Sequence, residues 1–449
     1  MRRKKETRSL KPTEGFFSIK GTDLPVRHGT LTYTPTRGIR LRTYDRFKPD
    51  ADRYSQGDAK YDTIHGEVED ASHVLLYNCY GHELIRLPGT AHTTYHAEYV
   101  VYGYCRLGLH DKRINTMVGR LRHLRKWLDL PGYQSKFGPI EGDPDNKYKH
   151  SFISEPSRRT QLYQDQTVAI SFGIQRFVPW GKVKNPKRAI SETAQVTFRF
   201  SADVDLPTAA KSMKELERFL SFVTQIDMPI TGVGLKVTKP ELDNVTDKRI
   251  LHQRDQVHPM YHFLYPKMKK RRIVGADPYL YSLALIKDEF QKAYSNWLTI
   301  YDRIRPALDQ FFEHRYNHEG YEATKHAYYS FIFEALHKKL YPEVGAIRLE
   351  KRYAAVLNEF LGTGPYFTQE RIDLYNQKLV DARNLVAHEG MLDESGPINF
   401  NNLIQYNELN QMLITYMVLA ACGLEKSNLL KRLTSREQFT YFQWANAEM

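Results

Sequence analysis

The feature that most limits how this chain can fold is a change in the spacing of its apolar residues. From Gly15 onward, short runs rich in Val, Ile, Thr, Tyr and Phe alternate with polar residues, as in Thr30–Thr34 and Val74–Cys79, and this pattern is typical of strands. From Asp277 onward, apolar residues recur every three or four positions, the period of helices with one buried face. The spacing predicts an α+β protein: a β-rich N-terminal domain with helical insertions, followed by an all-α bundle.

Chain length and the distribution of Pro and charge suggest the domain boundaries. At 449 residues, the chain exceeds one typical core, and two or three domains are expected. A segment rich in Pro and in charged residues lies between the predicted β-rich and helical regions and is interpreted as a linker. The predicted segments are a mobile basic tail over 1–15, a β-rich domain over 16–238, a basic linker over 239–278 and a helical domain over 279–449.

Individual helices are predicted from the same spacing. Within the β-rich domain, 114–130 and 206–226 have helical periodicity. In the bundle, Pro306 is expected to interrupt the first helix. Thr368 is expected to cap the start of a later helix, and Gly423 is expected to follow the end of another. The helices expected in the bundle cover 279–301, 326–340, 349–360, 369–389 and 402–422, with a short final one within 432–449.

The charge balance points to a polyanionic partner. The chain carries 65 Lys and Arg against 52 Asp and Glu, a formal net charge of +13, and nucleic acid is the first candidate partner of such a protein. No apolar run approaches the length of a membrane span, and no secretory signal is recognised at the start. Cys79, Cys105 and Cys422 lack metal-type spacing, so we expect free thiols in a cytoplasmic protein.

The residues best suited to chemistry lie together near the C-terminus, at Arg383, Asn384 and His388. A His of ordinary pKa, about 6.5, can take or give the proton of an RNA 2′-OH near neutrality. An Arg fork can stabilise the charge that builds on the phosphate. We therefore predict His388 as general base or acid, Arg383 as phosphate clamp and Asn384 as the group that orients the imidazole, with no metal or other cofactor. The alternative is that these residues have no catalytic role: Arg383 is a surface cation, Asn384 a helix-end residue and His388 a favourable charge at a helix C-terminus.

Helical geometry restricts how these three residues can act together. At about 100° per residue, positions 383 and 388 point about 140° apart, whereas positions 384 and 388 share a face. Arg383 and His388 would therefore converge only if the last helical turn loosens, or if a second copy of the motif faces the first.

Two parts of the sequence resemble known families. The run Arg-Asn-Leu-Val-Ala-His at 383–388, followed by Glu-Gly, resembles the signature of HEPN domains, which lies at a helix end in an all-helical domain. The N-terminal text is similar to the β-rich domain attached to HEPN in the ApeA group of bacterial phage-defence proteins. The residues that carry this second resemblance are 29–35, 38–41, 61–67 and 74–79.

The resemblance implies more than the spacing does. In the HEPN family two domains pair, so that their Arg and His residues line one cleft, which implies a homodimer or a higher even oligomer. It further implies metal-independent cleavage of RNA to a 2′,3′-cyclic phosphate and a 5′-OH. For the ApeA group it implies abortive infection, with tRNA anticodon loops as targets and a phage-derived trigger on the N-terminal domain.

A basic run in the predicted linker is a second candidate contact with RNA. So dense a cluster attracts phosphates and precedes the helical domain, where it could guide RNA to the site. A solvated linker that only maintains solubility is the alternative, and the sequence leaves both open. The predicted RNA-binding residues are Lys267, Lys269, Lys270, Arg271 and Arg272.

The sequence leaves one other function open and assigns no special role to other histidines. A non-catalytic HEPN-type RNA-binding or sensor protein stays open, whereas a DNA-binding regulator would need a helix-turn-helix pattern that the sequence lacks. His92 and His96 share a predicted strand, where positions i and i+4 are too far apart to hold a metal together. His258 is interpreted as an ordinary loop histidine.

Overall fold

The structure is a computed structural model, and two compact units are distinguished in it. One comprises 1–218 and 227–268, and the other comprises 219–226 and 269–449. The residues described are 10–19, 22–34, 38–47, 58–69, 73–82, 92–103, 107–129, 133–139, 148–154, 159–177, 191–239, 258–262, 279–316, 322–342, 345, 347–362, 368–389 and 400–435.

The first unit is built from antiparallel strands. Their bounds are β1 Leu10–Ser18, β2 Arg27–Thr34, β3 Gly38–Thr43, β4 Asp58–Val68, β5 His73–His82, β6 Thr93–Ala97, β7 Tyr99–Tyr102, β8 Ile114–Leu121, β9 Tyr133–Pro139, β10 Tyr148–Ser154, β11 Arg159–Gln164, β12 Val168–Phe177, β13 Ser191–Val204, β14 Ile230–Val237 and β15 His258–His262. Within the described residues, thirteen strands form one sheet in the order β11-β12-β13-β8-β14-β15-β7-β5-β4-β1-β2-β3-β6, and β9 and β10 form a separate pair.

Six of these strands close into a barrel, because β6 pairs with both β3 and β5. The alternation predicted for residues 30–34 is confirmed: β2 and β3 bury every second side chain. Phe17, Leu31, Ile39, Ile64 and Tyr95 are fully or almost fully buried in the barrel core. A β-rich N-terminal domain with an apolar interior is therefore what the spacing of apolar residues predicted.

Gly15 lies where two strands come close. A Cβ at this position would stand 2.3 Å from the carbonyl oxygen of Glu67 and 2.9 Å from Cα of Val68, and backbone atoms cannot move aside as a side chain can. We expect Gly15→Ala to lower the free energy of unfolding of the first unit by about 1–3 kcal/mol, as overpacking usually does. Gly232→Ala is the control, because there the nearest atom lies 4.0 Å away. Urea denaturation would measure both, and equal effects would contradict the expectation.

One predicted helix in this unit is mostly a strand. The prediction over 114–130 was wrong for 114–121, which forms β8, and the helix is limited to α1, Leu124–Leu128. β8 pairs with β13 on one side and β14 on the other, and Thr116, Val118 and Gly119 are weak helix formers. Long-range pairing therefore outweighs the local spacing. The other predicted helix is present as α2, Leu206–Thr224.

The predicted tail and linker also contain strands. β1 begins at Leu10, inside the expected mobile tail, and β15 lies inside the expected linker over 239–278. β15 pairs with β14 on one side and β7 on the other. The Pro and charged residues of this region led to the linker prediction, although the region contains a paired strand. His258, interpreted as a loop residue, is fully buried in β15, with Nδ1 at 3.2 Å from the carbonyl oxygen of Tyr102.

This burial makes His258 a source of pH-dependent stability. Burial, together with the charge of Lys239, lowers the pKa of His258 from 6.5 to about 4. The unfolded chain binds the proton more readily than the folded chain does. The contribution of His258 to the free energy of unfolding is therefore fully present above pH 6.5 and is lost as the pH falls toward 4.

We expect the first unit to lose on the order of 2 kcal/mol of unfolding free energy between about pH 7.5 and about pH 5 from this residue. His258→Gln can still donate to the carbonyl of Tyr102 but does not titrate, so its loss over the same interval should be smaller. Urea denaturation at both pH values measures the difference. An identical pH dependence in the two proteins would show that His258 is not the titrating group.

The second unit is helical, as predicted. Its helices are α3 Leu283–Ile286, α4 Phe290–Tyr316, α5 Glu322–Leu340, α6 Leu349–Leu361, α7 Gln369–Glu389, α8 Phe400–Ala421 and α9 Lys426–Thr434. Gly423 follows α8 with φ of 81°, which suits the predicted glycine beyond a helix end. The final predicted helix is only partly covered, because 436–449 lie outside the described residues.

An aromatic cluster holds the start of this unit together. Phe222 from the end of α2 lies 5.9 Å from Trp297, 5.3 Å from Phe311 and 5.2 Å from Phe312, measured between ring centroids. The predicted break at Pro306 was wrong, since α4 continues through it. Buried residues on both sides of Pro306 pack on the same core, and this packing offsets the roughly 3 kcal/mol that an internal proline costs.

Two of the three cysteines are described, and both are free and fully buried: Cys79 in β5 and Cys422 just after α8. Burial raises the pKa of each thiol above its usual range. Cys105 lies outside the described residues.

No helix in the described part of the chain is both long enough and apolar enough to cross a membrane.

Candidate active site

The helix that carries the motif is α7. The predicted N-cap is confirmed, because Thr368 Oγ1 accepts a hydrogen bond of 3.4 Å from the N–H of Arg371. Ile372, Leu379 and Ala382 are fully buried, and their spacing places one face of α7 against the bundle. The helix continues to Glu389, so positions 383, 384 and 388 all lie on regular helical backbone.

Arg383 is held at the surface by an aromatic ring and an amide. Its Cζ lies 5.3 Å from the ring centroid of Phe331 in α5, within the range of cation–π attraction. Its Nη1 donates a hydrogen bond of 3.0 Å to Oδ1 of Asn384. Its Nε is buried and has no hydrogen-bond partner among the described residues. Leaving a buried donor unpaired is costly.

Asn384 is exposed, and its amide oxygen accepts the hydrogen bond from Arg383. The predicted contact of its amide with a ring nitrogen of His388 stays a prediction. The amide nitrogen still provides two donors, and positions 384 and 388 lie one helical turn apart. The backbone of His388 is part of α7, whereas its side chain is outside the description that the structure provides.

The regularity of α7 also decides between two geometries. Because the helix does not loosen before Glu389, positions 383 and 388 remain about 140° apart around its axis. One of the two ways in which Arg383 and His388 could converge is therefore removed. The remaining way is a second copy of the motif that faces the first.

A buried histidine of α5 contacts the backbone of α7. His326 in α5 is fully buried, with Nε2 at 3.2 Å from the carbonyl oxygen of Leu379 and Nδ1 at 3.1 Å from Oδ1 of Asn407. In helical geometry the same carbonyl accepts the N–H of Arg383, four residues later. Burial lowers the pKa of His326, and its two hydrogen-bond contacts oppose this effect. His326 therefore anchors the turn of α7 that carries the guanidinium.

Asn407 is fixed in turn by Glu322. Its Nδ2 donates to the backbone oxygen of Glu322 at 3.0 Å and to Oε2 of the same residue at 2.8 Å. These bonds orient the Asn407 amide so that its oxygen faces His326. Lys325 donates to the other carboxylate oxygen of Glu322 at 2.5 Å. The polar chain thus runs from a partly exposed ion pair to the buried imidazole.

A second buried polar cluster lies close to Arg383. Tyr353 in α6 is fully buried, and its hydroxyl bonds to Oδ1 of Asn410 at 2.7 Å and to Oγ of Ser330 at 3.2 Å. Burial raises the pKa of Tyr353, and the positive charge of Arg383 is among the effects that oppose the rise. The phenol therefore remains neutral.

Some predicted residues lie outside the description, and some important ones were missed. Lys267, Lys269, Lys270, Arg271 and Arg272 all fall within 263–278, which the structure does not describe. Across the described ranges, no group of three or more His, Cys, Asp or Glu could hold a metal ion. His326 and Asn407 were missed, although each is a polar residue in line with the apolar positions of its helix, a signal of a buried polar contact.

Comparison with known families covers both units. Residues 13–297 match the family model described as ApeA N-terminal domain 1. Residues 307–428, which include the whole of α7, match the one described as Apea-like HEPN. No curated protein and no solved structure matches the chain.

Proposed function

Because the chain belongs to the ApeA family, with an ApeA-like HEPN domain, we propose that it is a metal-independent endoribonuclease of bacterial phage defence. HEPN domains are generally nucleases that bind RNA and often form dimers. The two domains together support a nuclease and anti-phage role.

The observation that carries the proposal is the environment of Arg383. Its guanidinium lies over the ring of Phe331 and is steadied by the bond to Asn384, at a half-buried position. The planar fork of Arg binds phosphate with two parallel hydrogen bonds. The site therefore favours a phosphodiester as ligand.

The proposed reaction uses the nucleophile that RNA supplies. His388 takes the proton of the 2′-OH, the 2′-oxygen attacks the adjacent phosphorus, and the bond from phosphorus to the 5′-oxygen breaks. A proton passes to the leaving 5′-oxygen, which yields a 2′,3′-cyclic phosphate and a 5′-OH. Arg383 stabilises the charge on the non-bridging oxygens. Asn384 orients the guanidinium through its oxygen and the imidazole through its amide nitrogen.

We further propose that two copies complete the site. Regular helix in α7 keeps positions 383 and 388 apart within one chain, so the Arg of one copy and the His of another would act on one phosphate. This requires a homodimer or a higher even oligomer. The proposed targets are tRNA anticodon loops, whose unstacked nucleotides expose the 2′-OH. The proposed location is the cytoplasm, with a phage-derived trigger on the N-terminal domain and Lys267–Arg272 as a further RNA contact.

The proposal is tested by the ends that the protein creates. Purified full-length protein is incubated with total tRNA, with and without EDTA, and the fragments are sequenced after ligation methods specific for 5′-OH and for 2′,3′-cyclic ends. We expect both kinds of end, clustered in loops, and the same rate with EDTA. Intact RNA under every condition would favour a non-catalytic RNA-binding or sensor protein instead. Fragments with 5′-phosphates, or cleavage that stops with EDTA, would contradict the mechanism.

A further inference from the structure

A cavity between α4 and α5 adjoins the candidate active site. Its volume is about 290 Å³, near the lower limit of small-molecule sites, which is roughly 300 Å³. Ile304 and Pro306 from α4 and Phe331 from α5 provide apolar lining. Phe331 is also the ring on which Arg383 stacks. The cavity and the proposed phosphate clamp therefore share one side chain.

The charges around the cavity suit an anionic ligand. Arg303, Lys338 and Lys339 line it, with Glu334 as the one carboxylate. Glu334 pairs with Lys338 at 2.7 Å, which leaves two cations in excess. Neither Arg303 nor Lys339 forms a salt bridge with any residue that the structure describes. An apolar floor with a positive edge matches a nucleotide, whose flat base is apolar on its faces and whose phosphate is anionic.

The exposure of Phe331 indicates what the cavity receives. Phe331 is 44% exposed, so part of its ring is open to a ligand. Proteins that bind single-stranded RNA present such rings so that unstacked bases can pack on them. We propose that the cavity between α4 and α5 is a base-binding subsite, in which one nucleotide next to the scissile phosphate stacks on Phe331. This inference rests on the proposed function, because Arg383 supplies the position of the phosphate.

A second copy of this chain is the competing occupant, since Tyr328, Phe331 and Ala335 form an exposed stripe on α5. Charge argues against that occupant. A symmetric contact centred on the cavity would bring the same surface of each copy together. Arg303 and Lys339 of one copy would then face the same cations of the other, and like charges in contact oppose association.

Binding and photo-crosslinking test the subsite. Full-length His388→Ala protein, which should bind RNA without cutting it, is titrated with a fluorescein-labelled single-stranded RNA of mixed sequence. Phe331→Leu in this background keeps an apolar side chain but removes the stacking face, and we expect it to weaken binding by roughly 5- to 150-fold. Phe331→Tyr should bind like the parent. Leu374→Ala is the control, because Leu374 is 49% exposed on α7 and lies outside the cavity. RNA containing 5-iodouridine should crosslink to Phe331.

Each outcome either supports or overturns the subsite. Equal affinity of the Leu and Tyr variants, or crosslinks that avoid α5, would overturn it. So would sedimentation showing that Phe331→Leu dissociates an oligomer while each copy keeps its RNA affinity, since the occupant would then be a second copy. Failure of the proposed function gives a different result. If the wild type leaves RNA intact while Phe331→Leu weakens RNA binding, the nuclease proposal is wrong and the subsite proposal stands. If the wild type and a Phe331→Leu single variant cleave RNA with equal KM, only the subsite proposal is wrong.

Discussion

Replacing His388 with alanine is expected to lower the rate of RNA cleavage by about 10²- to 10⁴-fold, the usual contribution of a general base or acid. Replacing Arg383 with alanine is expected to cost about 10²- to 10³-fold, because the charge on the phosphate would lose its main stabilising donor. Arg383→Lys keeps the charge but loses the planar fork, so it should fall between Arg383→Ala and wild type. Initial rates on a purified tRNA, at matched protein concentration, measure all three.

Arg371→Ala is the matched control. Arg371 lies on the same helix, α7, at an exposed position near its start, and its loss should leave the rate unchanged. If Arg371→Ala and Arg383→Ala reduced activity equally, the effect would be one of general charge, and the assigned role of Arg383 would be wrong.

Mixing the two inactive proteins tests whether the site is shared. A mixed dimer of Arg383→Ala and His388→Ala retains one Arg and one His, contributed by different copies. We expect part of the activity to return after subunits exchange, because position 383 of one copy and position 388 of the other would meet across the interface. Activity that stays absent, although native mass spectrometry shows mixed dimers, would contradict the two-copy arrangement.

Replacing His326 with phenylalanine is expected to reduce both stability and activity. Phenylalanine keeps an aromatic ring but cannot donate a hydrogen bond to either of the two oxygens that His326 contacts. A neutral imidazole donates to one of them, and loss of that buried bond should lower the free energy of unfolding of the helical unit by roughly 1–3 kcal/mol. Because that carbonyl belongs to the turn that carries Arg383, kcat should also fall, by about 10-fold or more.

A matched core variant separates positioning from simple destabilisation. Ile332 is fully buried on the same helix, and Ile332→Ala should destabilise by a similar amount, about 2–5 kcal/mol, without affecting Leu379. At a temperature where both variants are folded, only His326→Phe should show a reduced kcat. His326→Gln, whose amide can donate to the carbonyl of Leu379, should recover part of it. Equal kcat values for His326→Phe and Ile332→Ala would assign His326 a purely structural role.

The order of the secondary structure was largely predictable, because it depends on local spacing. Alternation in 30–34 and periods of three and four residues after Asp277 produced the β-rich unit and the helical unit. Thr368 and Gly423 marked helix ends correctly because capping depends on one or two residues. Features that depend on distant partners were not predictable. Residues 114–121 pair with residues 77 or more positions later in the chain, and Pro306 lies within a continuous helix because of the residues that pack around it.

The candidate site shows the same division. Arg383, Asn384 and His388 are neighbours in the sequence, so their helix and spacing could be predicted. The contact of Arg383 with Phe331 joins positions 52 apart, and that of His326 with Leu379 joins positions 53 apart. No periodicity carries such information, and the bond from Arg383 to Asn384 results from a choice of side-chain rotamers that the sequence leaves open.

The placement of Cys79 and Cys422 has a practical consequence. Each unit contains a buried free thiol, Cys79 in the first and Cys422 in the second. A buried thiol reacts with an alkylating reagent only when the structure around it opens. In a chain whose Cys105 is replaced by serine, alkylation at Cys79 would time the opening of the strands, and alkylation at Cys422 would time that of the helices. Peptide mapping of the two adducts thus reports the opening rate of each unit separately. Adding RNA should slow alkylation only at Cys422, in the helical unit.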